Sequence, residues 1–403
     1  MKAKKTHPWI TFQLRLPPSD LRLWLRLGEI ASKCQHLAGV PLRPEFAQKL
    51  HQVFLAKGIM GTTAIEGNTL SEEQVLQQIR GELELPPSQE YLKQEVQNIL
   101  DLCNNEVSAQ LTPAAIDKPT LCVELIKSYN RGVLRNLKVD DGVVPGEYRR
   151  HSVVVGNVYR GVPAEDCEQL MDSLCDWLNG RDFNPPDEEL RIPFAVIKAV
   201  IAHLYIAWIH PFGDGNGRTA RLLEFHILFS SGIALPAAHL LSDHYNQTRT
   251  EYYRQLDHAS KSGGDTIPFV HYALQGFLDG IRSQLAQIRE QHFVVAWENY
   301  VHEIFRERRT SPTQKRQRDL VLELSKHQWV RIADVENLSI KLAKDYGNAG
   351  DRMLQRDLNS VSKLNLIERK QGRVRARTEI VQAFLPGRVP VRTKKRPTGV
   401  GEL

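Results

Sequence analysis

The sequence HPFGDGNGRTAR, residues 210–221, joins a glycine-rich turn to the first turn of an apolar helix. Glycine tolerates positive φ, so successive backbone N–H groups can turn toward one point and form an anion nest. The helix that follows, predicted over residues 216–231, directs the positive end of its dipole at the same point. This stretch therefore predicts a phosphate site at the beginning of a core helix.

The side chains of the same stretch fit the chemistry of a polyphosphate. Asp214 is a hard oxygen ligand suited to magnesium, and Arg218 and Arg221, three residues apart, project from one helix face. His210 is a proton acceptor that works near neutral pH. The alternative is a structural helix N-terminus with a core histidine, but it leaves the carboxylate, the amide and the two arginines unexplained.

The string resembles the signature of the Fic family, HxFx(D/E)GNGRxxR, and every specified position is filled. The resemblance implies that His210 deprotonates a Ser, Thr or Tyr hydroxyl of a target protein, which attacks the α-phosphate of ATP. AMP is then transferred and pyrophosphate is released. Asp214 would hold Mg²⁺, while Arg218 and Arg221 would stabilise the β- and γ-phosphates. The other residues implied to cradle the phosphates are Gly213, Gly215, Asn216 and Gly217. Because family branches that transfer phosphate itself depart at the acidic and glycine positions, that reaction is not expected here.

A second string, TTAIEGN at residues 62–68, resembles the inhibitory (S/T)xxxE(G/N) element of the family. It ends a helix predicted over residues 44–65. Glu66 could simply lie at that helix C-terminus, but a carboxylate there opposes the helix dipole and needs a partner. By resemblance the partner is Arg221, which the γ-phosphate would otherwise use. The resemblance therefore implies an enzyme that Glu66 keeps inactive at rest.

Helical periodicity and capping signals dominate the chain, which indicates a mainly α fold. Ser71 with Gln74, for example, has the spacing of a capping box. We expect four regions: an N-terminal helical region with the inhibitory helix at 1–110, a Fic-type catalytic domain at 111–290, a winged helix-turn-helix at 291–380 and a basic, disordered tail at 381–403.

The segment 151–160 is the exception to helix. Its β-branched residues surround Gly156-Asn157, a dipeptide typical of a hairpin turn. In Fic proteins a hairpin flap at this place, preceded by a GxxR-like segment (here Gly146 to Arg149), binds the target protein by strand addition. The alternative is a hairpin that only covers the core.

Residues 249–256 fall where related proteins line the adenine pocket, and Tyr253 is the candidate nucleotide contact. Related proteins often have an Asn one turn later, where this chain has Ser260. A hydroxyl reads the adenine edge less completely than an amide does, so a uridylyl or other nucleotidyl donor stays open. Adjacent tyrosines on a helix are more often packing residues.

The C-terminal part has a basic character. Residues 369–396 contain ten Lys or Arg against one acid, a charge of +9 in a chain of net charge +6. Helices predicted at 313–326, 331–344 and 351–364, followed by two strands around Gln371-Gly372, resemble a winged helix-turn-helix. The pattern fits DNA binding, and it fits equally a domain used for dimerisation or protein docking.

Composition limits the other classes of function. The chain has 403 residues, 41% hydrophobic and 25% charged, as is usual for soluble proteins. We expect no membrane span, because no apolar run approaches the ~20 residues that a bilayer requires. The start MKAKKTHPWI lacks the apolar stretch of a secretory signal, so we expect a cytoplasmic protein. Five scattered cysteines without CxxC spacing argue against a disulfide framework or a zinc site.

These observations together predict a protein adenylyltransferase that uses ATP and Mg²⁺. Two alternatives remain: a DNA-binding transcriptional regulator whose Fic domain senses nucleotide, and an enzyme that removes AMP, with Glu66 orienting the attacking water. The target protein, homodimer formation and the event that relieves inhibition stay open.

Overall fold

The computed structural model describes residues 2–110, 121–155, 159–306, 311–347 and 351–382. Helices dominate them, as predicted, and they divide into two compact units between Leu285 and Ala286. The first unit contains α1 (Ala3–Thr6), α2 (Leu21–Gly39), α3 (Pro44–Ala64), α4 (Glu72–Arg80), α5 (Glu90–Gln110), α6 (Val123–Val133), strands β1 (Val154–Val155) and β2 (Tyr159–Arg160), α7 (Cys167–Leu178), α8 (Arg191–Ile209), α9 (Asn216–Ser230), α10 (Leu235–Ala238), α11 (Leu240–Gln247) and α12 (Arg249–Lys261). Helix α13 (Ile267–Arg306) begins in this unit.

Helices α8 and α9 form the centre of the first unit. They pack against each other, and most residues of both are buried. Helix α8 is apolar on nearly every face, as expected of a helix surrounded by other helices. Because α8 ends directly before His210 and α9 begins at Asn216, the motif predicted to bind phosphate is the connection between two core helices.

The expectation that no apolar run approaches the length of a membrane span was wrong for α8. Residues Glu188–Ile209 form a segment of 22 residues that is long and apolar enough by composition. Lys198 and His203 interrupt this segment, so its sequence is not continuously apolar. In the structure, 83% of its most apolar window is buried.

The inhibitory helix predicted over residues 44–65 is α3, which begins with Pro44 in its first turn and packs against α4, α10 and α11. The capping box that begins α4 is confirmed: Ser71 Oγ accepts from Gln74 N, and Gln74 Oε1 accepts from Ser71 N. The predicted N-terminal region and the predicted catalytic region thus lie in the same compact unit.

Strands β1 and β2 lie within the predicted hairpin at 151–160. They pair antiparallel, with Val154 opposite Arg160 and Val155 opposite Tyr159. The predicted turn at Gly156-Asn157 lies outside the described residues. The hairpin is preceded by an isolated bridge between Tyr148 and Phe212, which ties its approach to the loop after α8.

The second unit contains α14 (Pro312–Leu324), β3 (Val330–Arg331), α15 (Ile340–Tyr346), α16 (Asp351–Lys363), β4 (Ile367–Lys370), β5 (Arg373–Ala376) and α17 (Glu379–Gln382). The strands form an antiparallel sheet in the order β3-β5-β4. Gln371 and Gly372 join β4 to β5, both at positive φ (50° and 71°), the geometry of a two-residue hairpin turn. The fully buried residues of the core include Leu320, Leu324, Leu358, Val361 and Val374.

The helix predicted over residues 331–344 was wrong in part. Strand β3 covers its first residue, a 3₁₀ helix covers Ile332–Leu338, and α15 begins only at Ile340. The break is at Ser339, whose backbone is extended and whose hydroxyl accepts from Leu342 N. A serine that caps a helix ends the preceding one. Most of the predicted tail at 381–403 lies outside the described residues.

Candidate active site

The loop after α8 is closed by its own side chains. His210 has a left-handed backbone (φ 50°) and its N–H still bonds to Ile206 O at 2.8 Å. The Asn216 amide then holds both backbone groups of Phe212, each at 2.9 Å. The side chain of Asn216, expected to help cradle the phosphates, is therefore engaged in shaping the loop.

The three glycines of the motif serve different purposes. Only Gly215 has positive φ (77°), so the expectation that glycines in general turn this backbone is corrected. At Gly217 a Cβ would lie 2.3 Å from Glu66 Oε1, so a larger residue there would displace this carboxylate from its present position. Gly213 is similarly restricted, since a Cβ would lie 2.8 Å from Val143 Cγ2.

Arg149, the last residue of the GxxR-like segment, holds the backbone of the loop through its guanidinium group. Its Nε donates to His210 O and its Nη1 to His151 O, both at 2.7 Å, and its Nη2 donates to Val162 O. The side chain is buried. One guanidinium thus fixes the backbone of the histidine and both ends of the hairpin, a role that five donors in one plane make possible.

His210 is neutral at physiological pH. Burial lowers the pKa of His210 to about 4, and the nearby Arg149 guanidinium acts in the same direction. The backbone of Ala207 and the carboxylates of Glu66 and Asp214 act in the opposite direction, favouring the charged form, but do not outweigh burial. A neutral imidazole that donates through one nitrogen offers the lone pair of the other, so His210 can accept a proton.

Arg221 and Glu66 form the contact that the resemblance implied. Arg221 Nη2 donates to Glu66 Oε1 at 2.5 Å, and Thr62 accepts two further bonds from Arg221 at 2.9 Å. Burial opposes ionisation of Glu66, but Arg221 outweighs it and holds the pKa of Glu66 below its usual value. Arg221 is 1% exposed, so its charge is compensated chiefly by this carboxylate.

Arg218 is held by two carboxylates. Its Nη2 lies 3.3 Å from Asp214 Oδ1, as the spacing of the motif allows. Its Nη1 lies 3.0 Å from Glu95 Oε1, on α5. Sequence reasoning missed Glu95, because 123 residues separate it from Arg218 and nothing in its local pattern distinguishes it. Asp214 itself is half-exposed and remains open to solvent on one side.

A cavity of about 580 Å³ lies beside the motif. Its wall brings together Glu66, His210, Asn216, Gly217 and Arg221 with Tyr253 and Ser260 of α12. Tyr252 and Tyr253 both line the cavity, but Tyr253 is 45% exposed whereas Tyr252 is buried. Gly213, Asp214, Gly215 and Arg218 are absent from the described part of the wall.

Helix α12 also holds the end of α3. Arg249 donates to the carbonyls of Ala64 and Ile65, at 3.2 and 2.5 Å. The Tyr253 hydroxyl donates to Ile65 O at 3.3 Å. An arginine at the last carbonyls satisfies the end of a helix and complements its dipole. Arg249 therefore fixes the backbone directly before Glu66, and sequence reasoning did not single it out.

A buried polar network lies beneath the cavity. His203 Nδ1 is 3.0 Å from Glu224 Oε2, and its Nε2 is 2.8 Å from the Tyr252 hydroxyl. The Tyr245 hydroxyl donates to Glu224 at 2.9 Å. The hydroxyls of Tyr252 and Tyr245 thus have partners on other helices, whereas His203 Nδ1 and Glu224 Oε2 lie close to each other without hydrogen-bond geometry.

Comparisons with known proteins agree with this geometry. Residues 120–228 match the sequence model of the Fic/DOC family. The "Protein adenylyltransferase fic-1" of Caenorhabditis briggsae is 33% identical over 242 residues, 57% of this chain and 43% of that protein. The "Protein adenylyltransferase Fic" of Drosophila willistoni is 31% identical over 253 residues, 61% of this chain and 45% of that protein. The chain spans less than half the length of these curated relatives.

Solved structures show the same fold. A Fic family protein from Desulfovibrio desulfuricans superposes with a TM-score of 0.54 at 23% identity, covering 90% of this chain and 97% of that one. Fic-1 from C. elegans gives a TM-score of 0.54 at 26% identity, covering 67% of this chain and 74% of that one. The loop between α8 and α9 and its buried arginines thus belong to a Fic/DOC-family domain, which this chain contains over residues 120–228.

Proposed function

We propose that this chain is a protein adenylyltransferase. It transfers AMP from ATP to a Ser, Thr or Tyr hydroxyl of a target protein, or of itself, and releases pyrophosphate. The observation that carries the proposal is a neutral, half-buried His210 in the same cavity wall as Arg221, at the N-terminus of α9. The names of the relatives, protein adenylyltransferases, support the same reaction.

His210 acts as the general base. Its lone pair takes the proton of the target hydroxyl, whose oxygen then forms a bond to the α-phosphorus of ATP. The bond between the α-phosphorus and the bridging oxygen breaks, and pyrophosphate leaves with that electron pair. The N-terminus of α9 and the guanidinium groups of Arg218 and Arg221 compensate the charge that accumulates on the phosphates.

The residues present fit a magnesium ion bound together with ATP. The described residues contain no group of three or more His, Cys, Asp or Glu side chains that could hold a metal. Magnesium in phosphate-transfer sites is commonly held by one or two carboxylates, with phosphates and water supplying the other ligands. The half-exposed Asp214 would hold the ion, which would neutralise charge on the phosphates.

Glu66 keeps this site inactive at rest. Its carboxylate lies in the cavity wall and is paired with Arg221. The carboxylate therefore repels the γ-phosphate and occupies the arginine that would otherwise bind it. The same position would let Glu66 orient a water molecule, so removal of AMP from a modified protein is the alternative within this site. Relief of inhibition requires the turn at 65–68 to move, whether through a partner, self-modification or a second copy of the chain.

The hairpin is the docking site for the target protein. Val154 and Val155 of β1 are exposed, at 49% and 37%, so β1 can pair with an extended target segment. Tyr159 of β2 lies in the cavity wall, and its hydroxyl donates to Trp208 O at 2.7 Å. A segment added to β1 would thus be held beside the cavity that contains His210.

Adenylyl transfer is tested with ATP labelled at different phosphates. The Glu66→Gly variant is incubated with Mg²⁺ and ATP labelled at the α- or the γ-phosphate, and protein-bound label is counted. We expect label from the α-phosphate alone. Label from the γ-phosphate would instead indicate phosphate transfer. If only pre-modified protein reacts and loses AMP, the enzyme removes the group.

The rate of transfer is expected to persist in mild acid. A base with its pKa lowered to about 4 remains unprotonated at pH 5 to 6, where an ordinary histidine becomes charged. The profile of kcat/KM against pH for the Glu66→Gly variant should therefore stay flat down to below pH 6. A halving of kcat/KM near pH 6.5 would contradict the lowered pKa of His210. Circular dichroism at each pH controls for unfolding.

We further propose that the second unit is a winged helix-turn-helix that binds DNA. On α16, Arg352, Arg356 and Lys363 are exposed, as are Lys370 and Arg373 around the turn between β4 and β5. Helix α16 would enter the major groove and the β4-β5 hairpin would contact phosphates. A nucleotide-sensing regulator, the second candidate function, rests on this surface.

DNA binding is measured with the full chain by fluorescence anisotropy on a random duplex. For about three phosphate contacts, affinity should fall roughly fortyfold between 50 and 200 mM salt. The double variant Arg352→Glu/Arg356→Glu should bind at least tenfold more weakly. Absence of binding, or binding that the variant does not change, would favour a role in dimerisation or protein docking.

A further inference from the structure

Both arginines of the motif are paired with acids that come from outside the motif. Glu66, just beyond α3, engages Arg221, and Glu95 of α5 engages Arg218. The two acids belong to the N-terminal helices, whereas the arginines are three residues apart on α9. The Glu95–Arg218 pair plays no part in the signature or in the inhibitory element that the sequence contains.

Asn68 links the two pairs. It lies two residues after Glu66 in the same turn, and it is buried. Its Nδ2 donates to Glu95 Oε2 at 2.8 Å and to Leu92 O at 2.9 Å. The two oxygens of Glu95 are thus divided, one on Asn68 and the other on Arg218. A displacement of this turn changes the surroundings of Glu95 as well as those of Glu66.

The local charges oppose phosphate binding by Arg218. Two acids, Glu95 and Asp214, contact this one guanidinium, so the three side chains together carry a net charge of −1. Arg218 and Glu95 are 6% and 17% exposed, which limits screening by water. A phosphate that approaches Arg218 therefore meets an arginine whose charge is already compensated.

We propose that Glu95 is a second inhibitory carboxylate, which withholds Arg218 from the nucleotide and is coupled to Glu66 through Asn68. The inference rests on the proposed role of Arg218 as a phosphate ligand. Movement of the turn at 65–68 frees Arg221 directly and, by withdrawing Asn68 from Glu95, weakens the hold on Arg218. Glu66 and Glu95 then inhibit ATP binding as a coupled pair rather than as two independent contacts.

The test is the dissociation constant of ATP with Mg²⁺, measured by calorimetry on the full chain. Wild type, Glu66→Gln, Glu95→Gln and the double variant form a cycle. Glutamine keeps the shape of Glu95 and removes its charge. We expect Glu95→Gln alone to bind ATP about tenfold more tightly, as expected for the removal of one nearby repulsive charge that is partly screened. The change in affinity caused by Glu95→Gln should differ at least threefold between the wild-type and the Glu66→Gln background, because the effects of residues in one network are not additive.

Two further variants serve as controls for the cycle. Glu90→Gln removes an exposed acid from the same helix and should leave the affinity unchanged. Asn68→Ser keeps both acids and removes the amide between them, and it should tighten ATP binding several-fold. If Glu95→Gln does not fold, Asn68→Ser still tests the coupling. Equal or weaker ATP binding by Glu95→Gln would overturn the inference, because a carboxylate that merely orients Arg218 gives that result.

The affinity for ATP can be measured whether or not AMP is transferred. This measurement therefore tests the role of Glu95 separately from the proposed reaction. Tighter ATP binding by Glu95→Gln without AMP transfer in any variant would contradict the proposed function and still support coupled inhibition by Glu66 and Glu95. Efficient AMP transfer by Glu66→Gly, without tighter ATP binding by Glu95→Gln, would contradict only the inhibitory role of Glu95.

Discussion

Replacement of Glu66 with glycine is expected to raise the rate of AMP transfer at least a hundredfold. At ~4 Å and an effective dielectric near 20, a carboxylate and a phosphate charge repel each other by about 4 kcal/mol, roughly a thousandfold in affinity. Because a third of the Glu66 side chain is exposed, water screens part of this repulsion. The initial rate of self-modification with ATP labelled at the α-phosphate measures the effect.

Glu66→Gln is the matched control for the charge. It keeps the length of the side chain, so it should reproduce most of the increase if repulsion is the cause. An increase limited to Glu66→Gly would instead point to flexibility of the turn, since Gly67 already follows at a φ of 104°. A rate equal to that of wild type in both variants would contradict autoinhibition by Glu66.

Replacement of His210 in the Glu66→Gly background is expected to lower transfer by about a hundredfold to ten-thousandfold, the usual range for loss of a general base. ATP binding should change little, because the proposed phosphate ligands, the two arginines and the N-terminus of α9, are not replaced. Rates are measured with labelled ATP, and affinity by calorimetry on the same preparations.

The choice of substitute at position 210 matters, because the backbone there is left-handed. Alanine at positive φ is strained, whereas asparagine adopts this conformation more readily. His210→Asn is therefore the matched variant that removes the base and retains the loop. Full transfer by His210→Asn with unchanged ATP affinity would contradict the assignment of the base. Loss of ATP binding as well would show that the loop itself had been disturbed.

Local patterns predicted those parts of the structure that depend on neighbouring residues. The glycine-rich turn at the start of α9, the capping box of α4 and the turn at Gln371-Gly372 each follow from residues only a few positions apart. Prediction was wrong where one residue overrides the periodic pattern. At Ser339 a capping hydroxyl interrupts a stretch with helical spacing. At α8, Lys198 and His203 divide the apolar sequence into shorter runs, although the segment as a whole is long and apolar enough to span a membrane.

Long-range partners in the site could not be predicted from spacing. Glu95, Arg249 and the His203–Glu224 pair lie on four different helices, and only packing brings them together at the site. The contact between Glu66 and Arg221 was expected solely because the string at 62–68 resembles a known element. The left-handed backbone of His210 was likewise unexpected, since only a few per cent of non-glycine residues have positive φ.

Intact-mass spectrometry after incubation with ATP and Mg²⁺ tests the central claim most directly. Wild type, Glu66→Gly and Glu66→Gly/His210→Asn are compared for the addition of one or more adenylate groups. The account predicts such a mass increase for Glu66→Gly alone, which would establish the donor, the base and the inhibitory residue together. No increase in any of the three proteins, and none on lysate proteins offered as targets, would contradict it.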